Sequence, residues 1–101
     1  MFDLNGQDWE VMLVSPGHRY LTRSDGSVAL GMCDNVTKTI YLDDTLDPAL
    51  MHKVLTHEVA HAAMFSYDVE LSCCQEEMVA ILIDTFGHEI IETANKIAKH
   101  L

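Results

Sequence analysis

The hydrophobic pattern of this chain changes period at Asp47-Pro48, and that change constrains the fold more than any other feature. Before it, apolar residues alternate with polar or small ones over short stretches, as in strands with one buried face. After it, apolar residues recur every three or four positions, which predicts amphipathic helices. Asp47 suits the N-cap and Pro48 the first position of such a helix. The order predicts strands followed by helices.

Three strands are predicted in the first half, over Trp9–Val14, Ser27–Cys33 and Thr37–Leu42. The link between the last two is the short Asp34-Asn35, which predicts an antiparallel hairpin. Alternation in the last strand places Ile40 and Leu42 together on one face, which can then be buried.

Two or three helices are predicted in the second half. The first starts at Pro48, and Ser72 with Gln75 forms an S-x-x-Q capping box that opens the next. Gly87 could kink or divide that second helical segment. Its apolar stripe runs to the end of the chain through Val79, Ile83, Phe86, Ile90, Ala94, Ile97 and Leu101. We therefore expect one α+β domain over residues 1–101, with a small antiparallel β-sheet packed against two to three α-helices.

Composition limits the class of protein. The 101 residues, 49% of them hydrophobic, suffice for one modest core. No stretch is long and apolar enough to cross a membrane, and the acidic N-terminus does not resemble a signal peptide. Three cysteines, two of them adjacent at Cys73-Cys74, suit reduced thiols. We expect a cytoplasmic protein without a membrane partner.

The formal net charge of -10 argues against nucleic acid as a partner, because binding to the phosphate backbone depends on Lys and Arg. A cationic peptide or protein would be favoured electrostatically, and solubility alone would also explain the charge.

The segment "HEVAH" places His57 and His61 four residues apart on the first helix, so both side chains lie on one face and can bind one metal ion. Glu58 lies about 100° around the axis, which suits a general base acting on a metal-bound water. This is the arrangement of H-E-x-x-H zinc sites. A coincidental polar face is the alternative, but these side chains are costly to bury unsatisfied.

A catalytic zinc needs a third protein ligand. Carboxylates and a histidine downstream supply five candidates: Glu70, Glu76, Glu77, Asp84 and His88. Glu76 is aligned with Val79, Ala80 and Ile83 and should point toward the first helix with the apolar stripe, so it is our prediction. Glu77 remains the main alternative, and Asp84 could instead orient a ligand histidine.

"HEVAH" followed by a short loop and a helix opening "EEMVAIL" resembles the gluzincin-type zincins. More narrowly, residues 28 to 83 resemble the small metallopeptidase-like proteins of phages, prophages and mobile elements that are related to the ImmA/IrrE metallopeptidases. The upstream strand, "CD" turn and acid-ended strand also fit. In that family a glutamate on the following helix is the third ligand, which corresponds to Glu76. Ala60 replaces the glycine often found before the second histidine.

The resemblance implies a zinc-dependent metallopeptidase with Zn²⁺ held by His57, His61 and Glu76, Glu58 as the general base, and a protein or peptide substrate. Zincins hold an extended substrate at an edge strand, here Val28–Cys33. Tyr41, Tyr67 and His88 are candidates for oxyanion stabilisation. The alternative is a zinc-binding regulatory or interaction module that works with a regulatory protein partner and has no activity of its own.

Overall fold

The computed structural model describes all 101 residues. Its elements, in chain order, are β1 (Phe2–Leu4), β2 (Gln7–Val14), a 3-10 helix (Arg19–Leu21), β3 (Gly31–Asp34), β4 (Thr39–Asp43), α1 (Pro48–Ser66) and α2 (Cys73–Ala98). The predicted α+β class is confirmed, with the strands preceding the helices.

The four strands form one sheet in the order β1-β2-β4-β3. The predicted β3–β4 hairpin is antiparallel, and Cys33 pairs with Ile40. The sheet is mixed rather than wholly antiparallel, because β4 lies beside β2 in parallel, with Val11 opposite Ile40. After β2 the chain passes through the 3-10 helix to β3, which is the edge strand of the sheet. β4 then runs back between β2 and β3.

β1 was not predicted because it has only three residues. The signal for it is the Asn5-Gly6 dipeptide, whose φ angles of 53° and 76° fit the tight turn that joins β1 to β2.

The middle of the sheet is β4, and all five of its residues are buried. Ile40 and Leu42 lie on the face that α1 covers, where they form the main core with Trp9 and Ala62. Tyr41 lies on the opposite face. There it packs with Val14 of β2 and Leu21 of the 3-10 helix. The predicted alternation in this strand is thus confirmed, although both of its faces are covered.

Both helices begin where the capping signals predicted. The Asp47 side chain accepts a hydrogen bond from the backbone N–H of Leu50 at 2.9 Å. Ser72 and Gln75 form the reciprocal capping box. α2 continues through Gly87 without a break, so the domain has two α-helices. Neither helix combines the length and apolar character that a membrane span requires.

A buried hydrogen bond ties the sheet to the end of α1. Trp9 donates from Nε1 to Oγ of Ser66 at 2.7 Å, and both residues are fully buried. The bond satisfies two polar groups that would otherwise be costly to bury. It therefore fixes the last turn of α1 against β2.

Gly31 allows β3 to pass close to α1. A Cβ atom at this position would lie 2.7 Å from Cγ1 of Val54 and 3.1 Å from Cγ of Glu58. Real Cβ atoms do not approach a carbon that closely, so a side chain here would push β3 away from α1. The glycine thereby brings the edge strand against the helix that carries the histidines.

We predict that Gly31→Ala destabilises the protein by about 1–3 kcal/mol, as overpacking in a core usually does. For a domain of this size, each kcal/mol lowers Tm by about 4–8 °C. The control is Gly87→Ala, where the added Cβ would be 3.4 Å from Ile83 of the same helix and should not destabilise. Equal melting temperatures for Gly31→Ala and wild type would contradict the close β3–α1 contact.

Candidate metal centre

His57 and His61 lie one turn apart on α1, and their Nε2 atoms are 3.3 Å apart. Two ligands at about 2.0–2.1 Å from a tetrahedrally coordinated zinc lie about 3.3 Å from each other. The two imidazoles therefore have the separation that one zinc ion requires. Both rings are largely shielded from solvent. The exposed fraction of the side chain is 17% for His57 and 14% for His61.

Glu77 supplies the third group. Its Oε1 lies 2.9 Å from Nε2 of His57, and its Oε2 lies 3.1 Å from Nε2 of His61. One carboxylate thus faces the same nitrogen atom on both histidines. These three residues could hold a metal ion, since one ligand atom from each lies within 4.8 Å of the others. Two imidazoles and one carboxylate form a ligand set found in catalytic zinc sites.

Glu76, the third ligand predicted from the sequence, is not part of this group in the structure. Glu76 Oε1 lies 2.7 Å from Nδ1 of His61, on the side of the ring opposite the shared site. A carboxylate there accepts the Nδ1 hydrogen and leaves Nε2 free to bind a metal. As predicted, Glu76 and Ala80 face α1, and Val79 packs beside Ala80. Glu77 and Asp84, one helix position to the side, also reach the histidines.

Asp84 orients the other histidine, as one of the two sequence interpretations proposed. Its Oδ2 lies 2.6 Å from Nδ1 of His57, while Oδ1 accepts hydrogen bonds from Lys53 at 2.5 Å and Thr85 at 2.8 Å. Burial of Asp84 opposes its ionisation. The hydrogen bonds from Lys53, His57 and Thr85 nevertheless lower its pKa below the usual value, so it stays ionised.

Glu58 is buried at 8% exposure on α1, and its side chain forms no hydrogen bond with another residue. Burial raises the pKa of this carboxyl, although the neighbouring His61 and His57 act in the opposite direction. It lines the same cleft as both histidines and Glu77. A buried carboxylate without a protein partner is available to a water molecule or a substrate, as a general base requires.

The cleft above these residues has a volume of about 400 Å³ and is bounded by β3 on one side and by α1 and α2 on the others. Arg23, from the loop before β3, is the one Lys or Arg among its lining residues. Sequence reasoning missed Arg23, because nothing in its local spacing marks it. Its backbone bonds with Ser27 and Gly26 hold this loop in a tight turn.

Cys33 also lines the cleft but is not part of the group whose ligand atoms lie close together. Burial, with the charges of Glu58 and Glu76 nearby, raises the pKa of its thiol to about 12.

The remaining candidates lie outside the cleft. Glu70 is exposed in the loop between the helices, and His88 contacts Glu92 at 3.4 Å on the surface of α2. Tyr41 is buried against Tyr20, and Tyr67 is exposed at the end of α1. None of the three predicted oxyanion donors, Tyr41, Tyr67 and His88, lines the cleft.

Comparison of the chain with protein-family models, curated proteins and solved structures finds no match. The resemblance to the metallopeptidase-like proteins thus remains a prediction that rests on the motif and its surroundings. What the structure adds is the proximity of the His57, His61 and Glu77 side chains.

We predict that Glu77→Ala weakens binding of Zn²⁺, used as the probe ion, far more than Glu76→Ala. Removing Glu76 should reduce affinity by about 10- to 100-fold, as is usual for a residue that orients a ligand histidine. Removing Glu77 deletes a ligand and should exceed that loss. Competition with a chromophoric chelator would measure both affinities. Equal losses, or a larger one for Glu76→Ala, would restore Glu76 as the third ligand.

We also predict a pH-dependent stability difference between wild type and Glu58→Gln, both stripped of metal with EDTA. The raised pKa means that the folded protein favours protonated Glu58. Wild type should therefore lose stability relative to the variant as pH rises above 4.5, the ordinary pKa of this carboxyl. Thermal melts should coincide near about pH 4 and favour Glu58→Gln near about pH 7. Glu92→Gln removes an exposed carboxylate from the outer face of α2 and controls for the change in net charge.

Proposed function

We propose that this protein is a zinc-dependent metallopeptidase. The observation that carries the proposal is that the buried, unpartnered carboxylate of Glu58 shares one cleft with the His57, His61 and Glu77 group. A site that served only stability would not need a carboxylate kept free of protein partners. Zinc is proposed as the metal because its tetrahedral coordination matches the separation of the Nε2 atoms and the nitrogen–oxygen ligand set.

Bound zinc would polarise the scissile carbonyl and lower the pKa of the attacking water. Glu58 would accept a proton from that water and pass it to the leaving amine. Asp84 and Glu76 would keep the Nδ1 hydrogen on His57 and His61, so that each ring presents Nε2 to the metal.

The substrate would be an extended segment of a protein or peptide. β3 is an edge strand, paired on one side with β4, and its residues Gly31, Met32 and Cys33 line the cleft. An exposed strand edge can add a peptide as a further strand through backbone hydrogen bonds. Arg23, at the same cleft, would donate to the oxygen that becomes negative as the carbonyl is attacked.

The second candidate is a zinc-binding module that acts with a regulatory protein partner and cleaves nothing. It is favoured by the absence of Tyr41, Tyr67 and His88 from the cleft, which leaves Arg23 as the candidate donor to the oxyanion. The buried, unpartnered Glu58 favours the enzyme. The two candidates differ in what Glu58→Gln should do.

We predict that Glu58→Gln retains about one equivalent of zinc but cleaves an unstructured peptide library about 10²- to 10⁴-fold more slowly than wild type. The amide keeps the shape of the side chain but cannot accept the proton. Elemental analysis and mass spectrometry of the products would measure the two quantities.

Glu92→Gln, an exposed change on the outer surface of α2, is the matched control and should cleave like wild type. Equal cleavage by wild type and Glu58→Gln would show that the activity comes from other residues or a contaminant. Zinc binding without cleavage by wild type, with or without added proteins, would favour the module.

A further inference from the structure

The second half of α2 extends beyond the rest of the protein. The last hydrogen bond that joins α2 to α1 runs from Lys53 Nζ to Thr85 Oγ1 at 3.2 Å, yet the helix continues to Ala98. The molecule measures 50 Å along its longest axis but 31 and 27 Å along the others. Its radius of gyration of 14.9 Å exceeds the value of about 13 Å typical for this length.

This projecting segment carries an apolar stripe whose side chains remain about half exposed to solvent. Phe86, Ile90 and Ile97 have exposures of 51%, 52% and 56%. The three isoleucines Ile83, Ile90 and Ile97 are spaced by seven residues, as at the a position of a coiled-coil heptad, and Phe86 and Thr93 follow at the d position. A seam with this spacing is suited to pairing with another helix.

Gly87 lies beside this seam, and no close contact within the monomer requires a glycine at this position. A Cβ added there would meet only Ile83 of the same helix, at 3.4 Å. Glycine within a helix lowers helix stability relative to alanine. A small residue is useful where a second helix passes closely, and Ala94 lies one heptad further along the same flank.

We propose that the seam residues Phe86, Ile90, Thr93 and Ile97 pair antiparallel with the same residues of a second copy of this chain. In this register Phe86 packs against the partner's Ile97, and Ile90 packs against the partner's Thr93. Glu89 then lies beside the partner's Lys96 on one flank, and Gly87 lies beside the partner's Ala94 on the other. The two-fold axis repeats each contact, as in an isologous dimer.

The charges favour a second copy in this orientation. Glu89 and Lys96 are the charged residues of the segment that flank the seam, and only the antiparallel arrangement brings them together, twice per dimer. A parallel pair would place the uncharged Ala94 beside Glu89. The antiparallel arrangement also puts the two globular parts at opposite ends of the paired helices. The proposal is independent of the enzymatic activity.

Sedimentation velocity on the full chain tests the proposal, over concentrations up to about 0.5 mM at moderate salt. Wild type should pass from the 11.3 kDa monomer to a dimer as concentration rises. Ile90→Glu should remain monomeric.

Glu89→Lys should weaken dimerisation about 10-fold or more, because it places like charges beside each other twice. Glu89→Lys combined with Lys96→Glu should restore the wild-type dissociation constant within about threefold.

Glu92→Lys is the matched control, since it changes the charge by the same amount on the outer face of the helix. It should dimerise at least as well as wild type, because it reduces the net charge of -10. A wild type that stays monomeric at the highest concentration would overturn the proposal. So would a dimer that survives Ile90→Glu, or a double charge reversal that restores nothing. Circular dichroism of each variant would show that α2 is still folded.

Discussion

The contact between Ala60 of α1 and Ala80 of α2 is the constraint on which the site depends. Ala80 is fully buried and Ala60 nearly so, with Met64 completing the cluster. Because side chains at a helix crossing set the distance between the axes, two alanines let the helices approach closely. Carboxylates of α2 on either side of the crossing thereby reach the histidines of α1. Larger side chains at either alanine would separate the two helices and disperse the site.

The same crossing concentrates negative charge. Glu58, Glu76, Glu77 and Asp84 lie around two imidazoles, and Lys53 is the one lysine bonded to this group. Without a cation between them, these carboxylates repel one another and weaken the association of α1 with α2. A divalent ion bound by His57, His61 and Glu77 would offset the repulsion and cross-link the helices. Metal occupancy and folding stability would thus be coupled.

Local signals predicted much of this molecule. Both helix starts depend on side chains within three residues of the cap, so Asp47 and Ser72 identified them. The separation of His57 and His61 follows from helix geometry alone. The choice between Glu76 and Glu77 could not be made from the sequence. Both side chains reach α1, and only the folded arrangement shows which carboxylate faces Nε2 of both histidines.

The sheet was harder to predict for a related reason. The β3–β4 hairpin is local, and its short turn indicated it. The parallel pairing of β2 with β4 joins residues about 30 positions apart, such as Glu10 and Thr39, and no turn residue specifies it. The alternation of apolar residues identified the strands themselves but left their neighbours open.

The insertion of β4 between β2 and β3 also bears on the order in which the chain folds. The β1–β2 and β3–β4 hairpins close short loops, so they can form within microseconds. Joining the two hairpins requires the closure of a much longer loop. The chain loses the entropy of that closure before the parallel pairing of β2 with β4 gives any stabilisation. We therefore expect the pairing of β2 with β4 to form late in folding. We expect Val11 and Leu13 to show low φ-values and residues of the β3–β4 turn to show higher ones.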